Sequence, residues 1–167
     1  MTPEQLDLIA SSAAAATRDR RGFGASFYGR LFELAPQVRT LFPDDIDEQS
    51  DKLVDELAFL TRAATDLDSF VDRARDLGRR HDGYGVEESH YALVRQALLD
   101  ALAGACGDEW TEQHVAAWGV LYNLIAETML DGANARPIKA RSRVCSDPSL
   151  TCSASPIGLS GSHAGRT

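Results

Sequence analysis

The chain has 167 residues, with 25 acidic against 17 basic side chains and a formal net charge of −8. That length suits one domain with a sizeable core. The acidic balance argues against nucleic acid as a partner, and no apolar run approaches the roughly 20 residues that would span a bilayer.

Taken in chain order, the pattern predicts helices and no convincing strand. Met1-Thr2-Pro3-Glu4-Gln5 reads as a helix cap with proline at the first helical position rather than a signal peptide, so a cytoplasmic protein is expected. The helix that Thr2 caps runs to about Arg18, and a second spans roughly Gly22 to Leu34. Ala35-Pro36 turns the chain into a short third helix, and a longer one covers about Asp47 to Thr65. Little or no separate helix is expected between Phe42 and Gln49. Asp68 is the expected cap of the next helix, near Ser69 to Arg80, and amphipathic helices over Glu87 to Gly104 and Thr111 to Leu130 complete the set. Trp118 and Tyr122, with Val115, Ile125 and Met129, read as helix packing rather than as a site.

Past Asp131-Gly132 the composition changes. Residues 132–167 are rich in Ser, Gly, Ala and Pro and carry a formal charge of +4, which leaves −12 for what precedes them. With almost no hydrophobic periodicity, this segment is expected to be a disordered tail following a domain over 1–131. Three cysteines (Cys106, Cys145, Cys152) lack the spacing of a zinc site, and His90, His114 and His163 do not cluster with them. Free thiols are expected.

Phe70, Ala74, Leu77, Gly78 and His81 fall on one face of a helix, opposite Asp72, Arg73, Asp76, Arg79 and Arg80. His81 is the one strongly polar member of that apolar stripe. The stripe ends in His81-Asp82-Gly83-Tyr84-Gly85, where two glycines suit a helix end. An imidazole so placed needs a partner, either a metal or a backbone carbonyl. Upstream, Gln49, Leu53, Leu57, Leu60 and Ala64 form a second stripe, with Asp51, Lys52, Asp55, Glu56 and Arg62 expected to point elsewhere. Two such helices face to face would make an apolar slot with a nitrogen ligand on one side and an amide donor on the other. A flat, mostly apolar cofactor holding an open metal position would suit that slot.

Phe27-Tyr28, Leu41-Phe42-Pro43, Gln49 with Lys52-Leu53, Arg79-Arg80-His81 with Gly83-Tyr84-Gly85-Val86, His90-Tyr91 and Ala117-Trp118 occur in this order. The ordered set resembles the bacterial single-domain globins of the flavohaemoglobin type, over about residues 3 to 131. The resemblance implies an all-α globin fold, three-over-three around haem b. It makes His81 the iron ligand, Phe42 the ring packed on the haem face, and Tyr28 and Gln49 the distal pair with Leu53 beside them. Tyr91 matches the proximal tyrosine, and Val86 and Val94 fall where apolar groups pack on the porphyrin. One departure stands out. The glutamate that partners the proximal tyrosine in these globins would fall near Ala135, and Glu127 is about two turns too early. Peroxidase-like chemistry is therefore not carried over, whereas reversible gas binding is.

These residue types suit such a task. Dioxygen held on ferrous iron gathers negative charge, and the Tyr28 hydroxyl and Gln49 amide are donors for it. Hydrogen bonds to charged acceptors contribute roughly 1.5–3 kcal/mol each. Carbon monoxide, less polar when bound, gains less. The expected function is reversible dioxygen binding for storage or transport. Nitric oxide dioxygenation is the enzymatic extension, and it needs a separate flavin reductase because no reductase domain follows. A haem-based gas sensor and a cofactor-free helical interaction module are the alternatives.

Overall fold

A computed structural model describes residues 1–135. Among them are six α-helices, α1 (Pro3–Arg18), α2 (Arg20–Leu34), α3 (Asp47–Ala63), α4 (Leu67–Gly83), α5 (Glu88–Cys106) and α6 (Glu112–Asn134), and no strand. Short 3-10 segments at Pro36–Leu41 and Gly107–Glu109 link α2 to α3 and α5 to α6.

Side chains that take up the free N–H groups of the first turn set where most of these helices start. Thr2 and Gln5 form the reciprocal capping box expected for α1, with Pro3 at its first position. Asp19 accepts from the Gly22 N–H at 2.9 Å, so α2 begins at Arg20, two residues before the expected start. Asp66, not the expected Asp68, caps α4, accepting from the Ser69 hydroxyl at 2.6 Å. In α5 and α6 a histidine closes the box. His90 Nδ1 accepts from the Glu87 N–H at 3.1 Å, and His114 Nδ1 from the Thr111 N–H at 3.2 Å. The stretch between Phe42 and Gln49 holds no helix of its own before α3 starts at Asp47, as expected.

Packing then follows the apolar stripes. α4 lies along α6, α2 crosses α5 and α3, and α1 closes the other side against α3, α5 and α6. Trp118, Phe70, Ile9, Leu102 and Leu121 are fully buried at the centre. The one polar atom of the Trp118 ring is satisfied: its Nε1–H donates to the buried Ser12 hydroxyl at 2.8 Å and ties α6 to α1.

α6 runs four residues past Leu130, because Leu124, Ile125 and Met129 keep an inward face over its last turns. The expected tail over 132–167 lies, from residue 136 onward, outside the described residues, and Cys145, Cys152 and His163 lie there too. No helix of the described residues is long and apolar enough to cross a membrane.

Candidate functional site

α3 and α4 stand as facing walls of a cleft with about 700 Å³ of atom-free space, part of it open to solvent. α3 contributes Leu53, Glu56, Leu57 and Leu60, and α4 contributes Leu77 and His81. Tyr91, Val94 and Leu98 of α5, Tyr122, Ile125 and Met129 of α6, Phe27 of α2 and Val86 complete the lining.

Local sequence places His81 and Val86 together. α4 ends in a turn in which the Gly85 N–H bonds to the Asp82 carbonyl at 3.0 Å and the Val86 N–H to the His81 carbonyl at 3.1 Å. That closure requires a left-handed backbone at Gly85 (φ +78°), which glycine adopts without a Cβ clash. Only the second of the two expected breaker glycines acts as one, since Gly83 is still helical.

His81 Nδ1 lies 2.9 Å from the Leu77 carbonyl one turn back. A carbonyl can only accept, so Nδ1 carries the proton and Nε2 is left with its lone pair. Of the two partners open to this imidazole, the backbone carbonyl takes one nitrogen and leaves the other for a ligand. Burial holds His81 below its ordinary pKa, and neighbouring Arg80 acts the same way; the Leu77 carbonyl and Glu56 oppose them. The neutral, ligating form is therefore favoured. A planar, largely apolar group with a metal at its centre fits this donor set, one imidazole nitrogen on a wall of otherwise almost wholly apolar side chains.

The cleft brings together five of the expected site residues, Leu53, His81, Val86, Tyr91 and Val94. Tyr28, Gln49 and Phe42 are not among its lining. Tyr28 is buried in an aromatic cluster, its ring centroid 4.9 Å from Phe27, 5.3 Å from Phe42 and 5.9 Å from Phe32. Its hydroxyl makes a long contact, 3.5 Å, to the Gln49 main-chain carbonyl, and burial pushes the phenol up to about 12, so it stays a protonated donor. Gln49 is half-buried in the first turn of α3.

On the α4 side, burial and, to a lesser degree, Asp82 raise the half-buried Tyr91 phenol. The Tyr122 hydroxyl donates to the Tyr91 main-chain carbonyl at 2.7 Å. The position near Ala135, where the resemblance places a glutamate, is the C-cap of α6.

Four residues extend the sequence reading. Ile125, Met129 and Tyr122, expected as packing alone, line the cleft, and their spacing of three, four and seven residues already puts them on one face of α6. Glu56, expected to point elsewhere, lines it as well. Among the described residues no cluster of His, Cys, Asp and Glu forms a further metal site. His90 and His114 serve as helix caps, and half-buried Cys106 is a free thiol raised by burial.

The family described as Globin matches residues 25–129. A leghemoglobin of Psophocarpus tetragonolobus is 29% identical over 138 residues, covering 77% of this chain and 94% of its own. An anaerobic nitrite reductase of Oryza sativa subsp. indica is 28% identical over 128 residues, 73% of this chain and 88% of its own. Among solved structures, an engineered carbene transferase made from an inferred nitric oxide dioxygenase of Rhodothermus marinus superimposes with a TM-score of 0.70 at 26% identity, over 80% of this chain and 93% of its own.

Proposed function

The chain belongs to the globin family and has its all-α fold, and on that premise we propose that it binds haem b and reversibly binds dioxygen, as a single-domain globin of the flavohaemoglobin type within residues 1–131. The observation that carries this reading is the His81 imidazole, held by Leu77 with Nε2 unengaged, on the wall of an apolar cleft. Haem, when bound, would supply a ferrous iron able to take up dioxygen, carbon monoxide or nitric oxide.

The chain's own groups do the rest. His81 Nε2 ligates the iron, and the Leu77 carbonyl fixes the ring's tautomer and makes the imidazole a better donor. Leu53, Val86 and Val94 would pack against the porphyrin and exclude water, and Phe42 would pack on the haem face. Tyr91 supports the His81 side. Tyr28 and Gln49 would donate hydrogen bonds to the bound gas, the Tyr28 hydroxyl giving up its long contact with the Gln49 carbonyl.

An absorption spectrum of the purified chain, reduced and then exposed to air and to carbon monoxide, tests the reading. A five-coordinate ferrous spectrum converting to a stable oxygenated form is expected, and His81→Ala is expected to lose most of its haem. No haem bands after hemin is supplied, or wild-type haem content in His81→Ala, would overturn it.

Nitric oxide dioxygenation is the second reading, favoured by the likeness to the Rhodothermus marinus protein. Repeated turnover would need an electron donor, of the flavin reductase class, to return the iron to the ferrous state. Mixing the oxygenated chain with nitric oxide should then yield one equivalent of nitrate and stop until reductant is added; oxygenated protein left unconsumed would exclude it.

A further inference from the structure

Glu56 is a charged group on a wall that is otherwise almost wholly apolar, and its side chain is only 16% exposed. Arg73 of α4 grips it with two parallel bonds, Nε to one carboxylate oxygen and Nη2 to the other, both 2.8 Å. The Arg73 guanidinium is also stacked over the Phe59 ring of α3, 5.1 Å from its centroid. Arg80, itself held by Asp76 at 3.2 Å, approaches the same Glu56 oxygen at 3.9 Å. Among the described residues these contacts to Glu56 are the polar links between the bodies of α3 and α4, and those helices are the two walls that face each other across the cleft. Arg73 and Arg80 are 41% and 44% exposed, so the link sits at an edge where the cleft meets solvent.

The geometry points to Glu56 and Arg73 as a strap that closes this edge of the cleft and must open for haem to enter or leave, with Arg80 as a second hold on the same carboxylate. A two-pronged charge-assisted pair fixes direction as well as distance. The stack on Phe59 keeps Arg73 over α3, so the walls separate only when both contacts break. Apolar packing has no such direction and lets the walls slide. Because Arg73 is partly exposed, its attraction to Glu56 weakens as salt rises, which makes release of the cofactor sensitive to ionic strength at this place. The inference rests on haem as the occupant of the cleft.

The test is transfer of haem from the full-length holoprotein to an excess of haem-scavenging apoprotein, at low and high salt, beside amide hydrogen exchange of the haem-free chain. Glu56→Gln and Arg73→Gln should each transfer haem about five- to tenfold faster at low salt. Salt should accelerate the wild type but change the variants little. The double exchange Glu56→Arg with Arg73→Glu should restore much of the slow rate. In the haem-free chain, α4 amides near Arg73 should exchange faster in the single variants. Transfer rates and α4 exchange equal to wild type in both single variants, or rates equally salt-dependent in all, would overturn the strap while leaving haem binding intact. A wild type that takes up no haem would instead fail the proposed function, and α4 exchange in the haem-free chain would still decide whether the pair holds the walls.

Discussion

At the scale of single residues, the imidazole of His81 carries the site, and its state has a measurable consequence. Burial depresses its folded-state pKa below the ordinary 6.5. Between that lowered value and 6.5 the unfolded chain binds more protons than the folded one, so stability is full above about 6.5 and declines as pH falls through that window. The haem-free chain should lose denaturation midpoint below about pH 6.5, and His81→Leu should flatten that slope; an unchanged slope would place the titration elsewhere. Tyr28 is the second such residue. Tyr28→Phe removes one donor worth roughly 1.5–3 kcal/mol toward a charged acceptor, so dioxygen should leave about ten- to a hundredfold faster in stopped-flow displacement. An unchanged off-rate would mean the hydroxyl remains on the Gln49 carbonyl in the ligated protein. His81 is legible in the sequence because it is polar on an apolar stripe. Glu56 is not, because its charge argues for exposure; yet it lies three residues after Leu53 and four before Leu60, which puts it on the flank of the same stripe. Arg73, seventeen residues on, removes the objection.

At the scale of elements, the close packing of α4 on α6 sets where His81 stands. Gly78, three residues before His81, lets the two backbones meet: a Cβ there would run into the Met129 carbonyl. Gly78→Ala must push α4 away from α6 and should cost about 3 kcal/mol in chemical denaturation, at the upper end for overpacking. Because His81 rides on the displaced segment, haem retention should fall with it; full retention at lowered stability would mean that α4 shifts without turning. Element type was readable from period and composition throughout. The exact starts were less so, since several acids compete for each cap. Asp66 precedes α4 while Asp68 falls in its first turn, and it is Asp66 that reaches the Ser69 N–H and hydroxyl.

At the scale of the whole molecule, the cleft is a space that the surrounding helices border without filling. A cofactor that binds only the folded chain stabilises it by mass action, about 4 kcal/mol at a thousandfold excess over its dissociation constant. Thermal unfolding with and without one equivalent of hemin should show a clear rise in Tm, lost in His81→Ala. No rise would mean that the cleft collapses or stays water-filled instead of being held by haem. The acidic surface over residues 1–131 bears ion pairs that join helices far apart in sequence, such as Arg30 to Asp100 at 2.8 Å and Arg75 to Asp131 at 2.7 Å. These are partly exposed and each contributes little; the core around Trp118 and Phe70 carries the fold.

The sequence by itself determined the helices, the two facing apolar stripes and the imidazole on one of them, because helical period and residue polarity are local properties of the chain. It also determined the family, through the ordered spacing of Tyr28, Phe42, Gln49, Leu53 and His81. Only the tertiary structure decided which side chains the cleft gathers. Tyr122, Ile125 and Met129 join it because α6 packs closely on α4 at Gly78, and Tyr28 is turned to a main-chain carbonyl within an aromatic cluster. Glu56 is drawn to the rim by an arginine from the opposite wall. Those outcomes depend on which surfaces meet, and a contact between elements distant in sequence leaves no period to read.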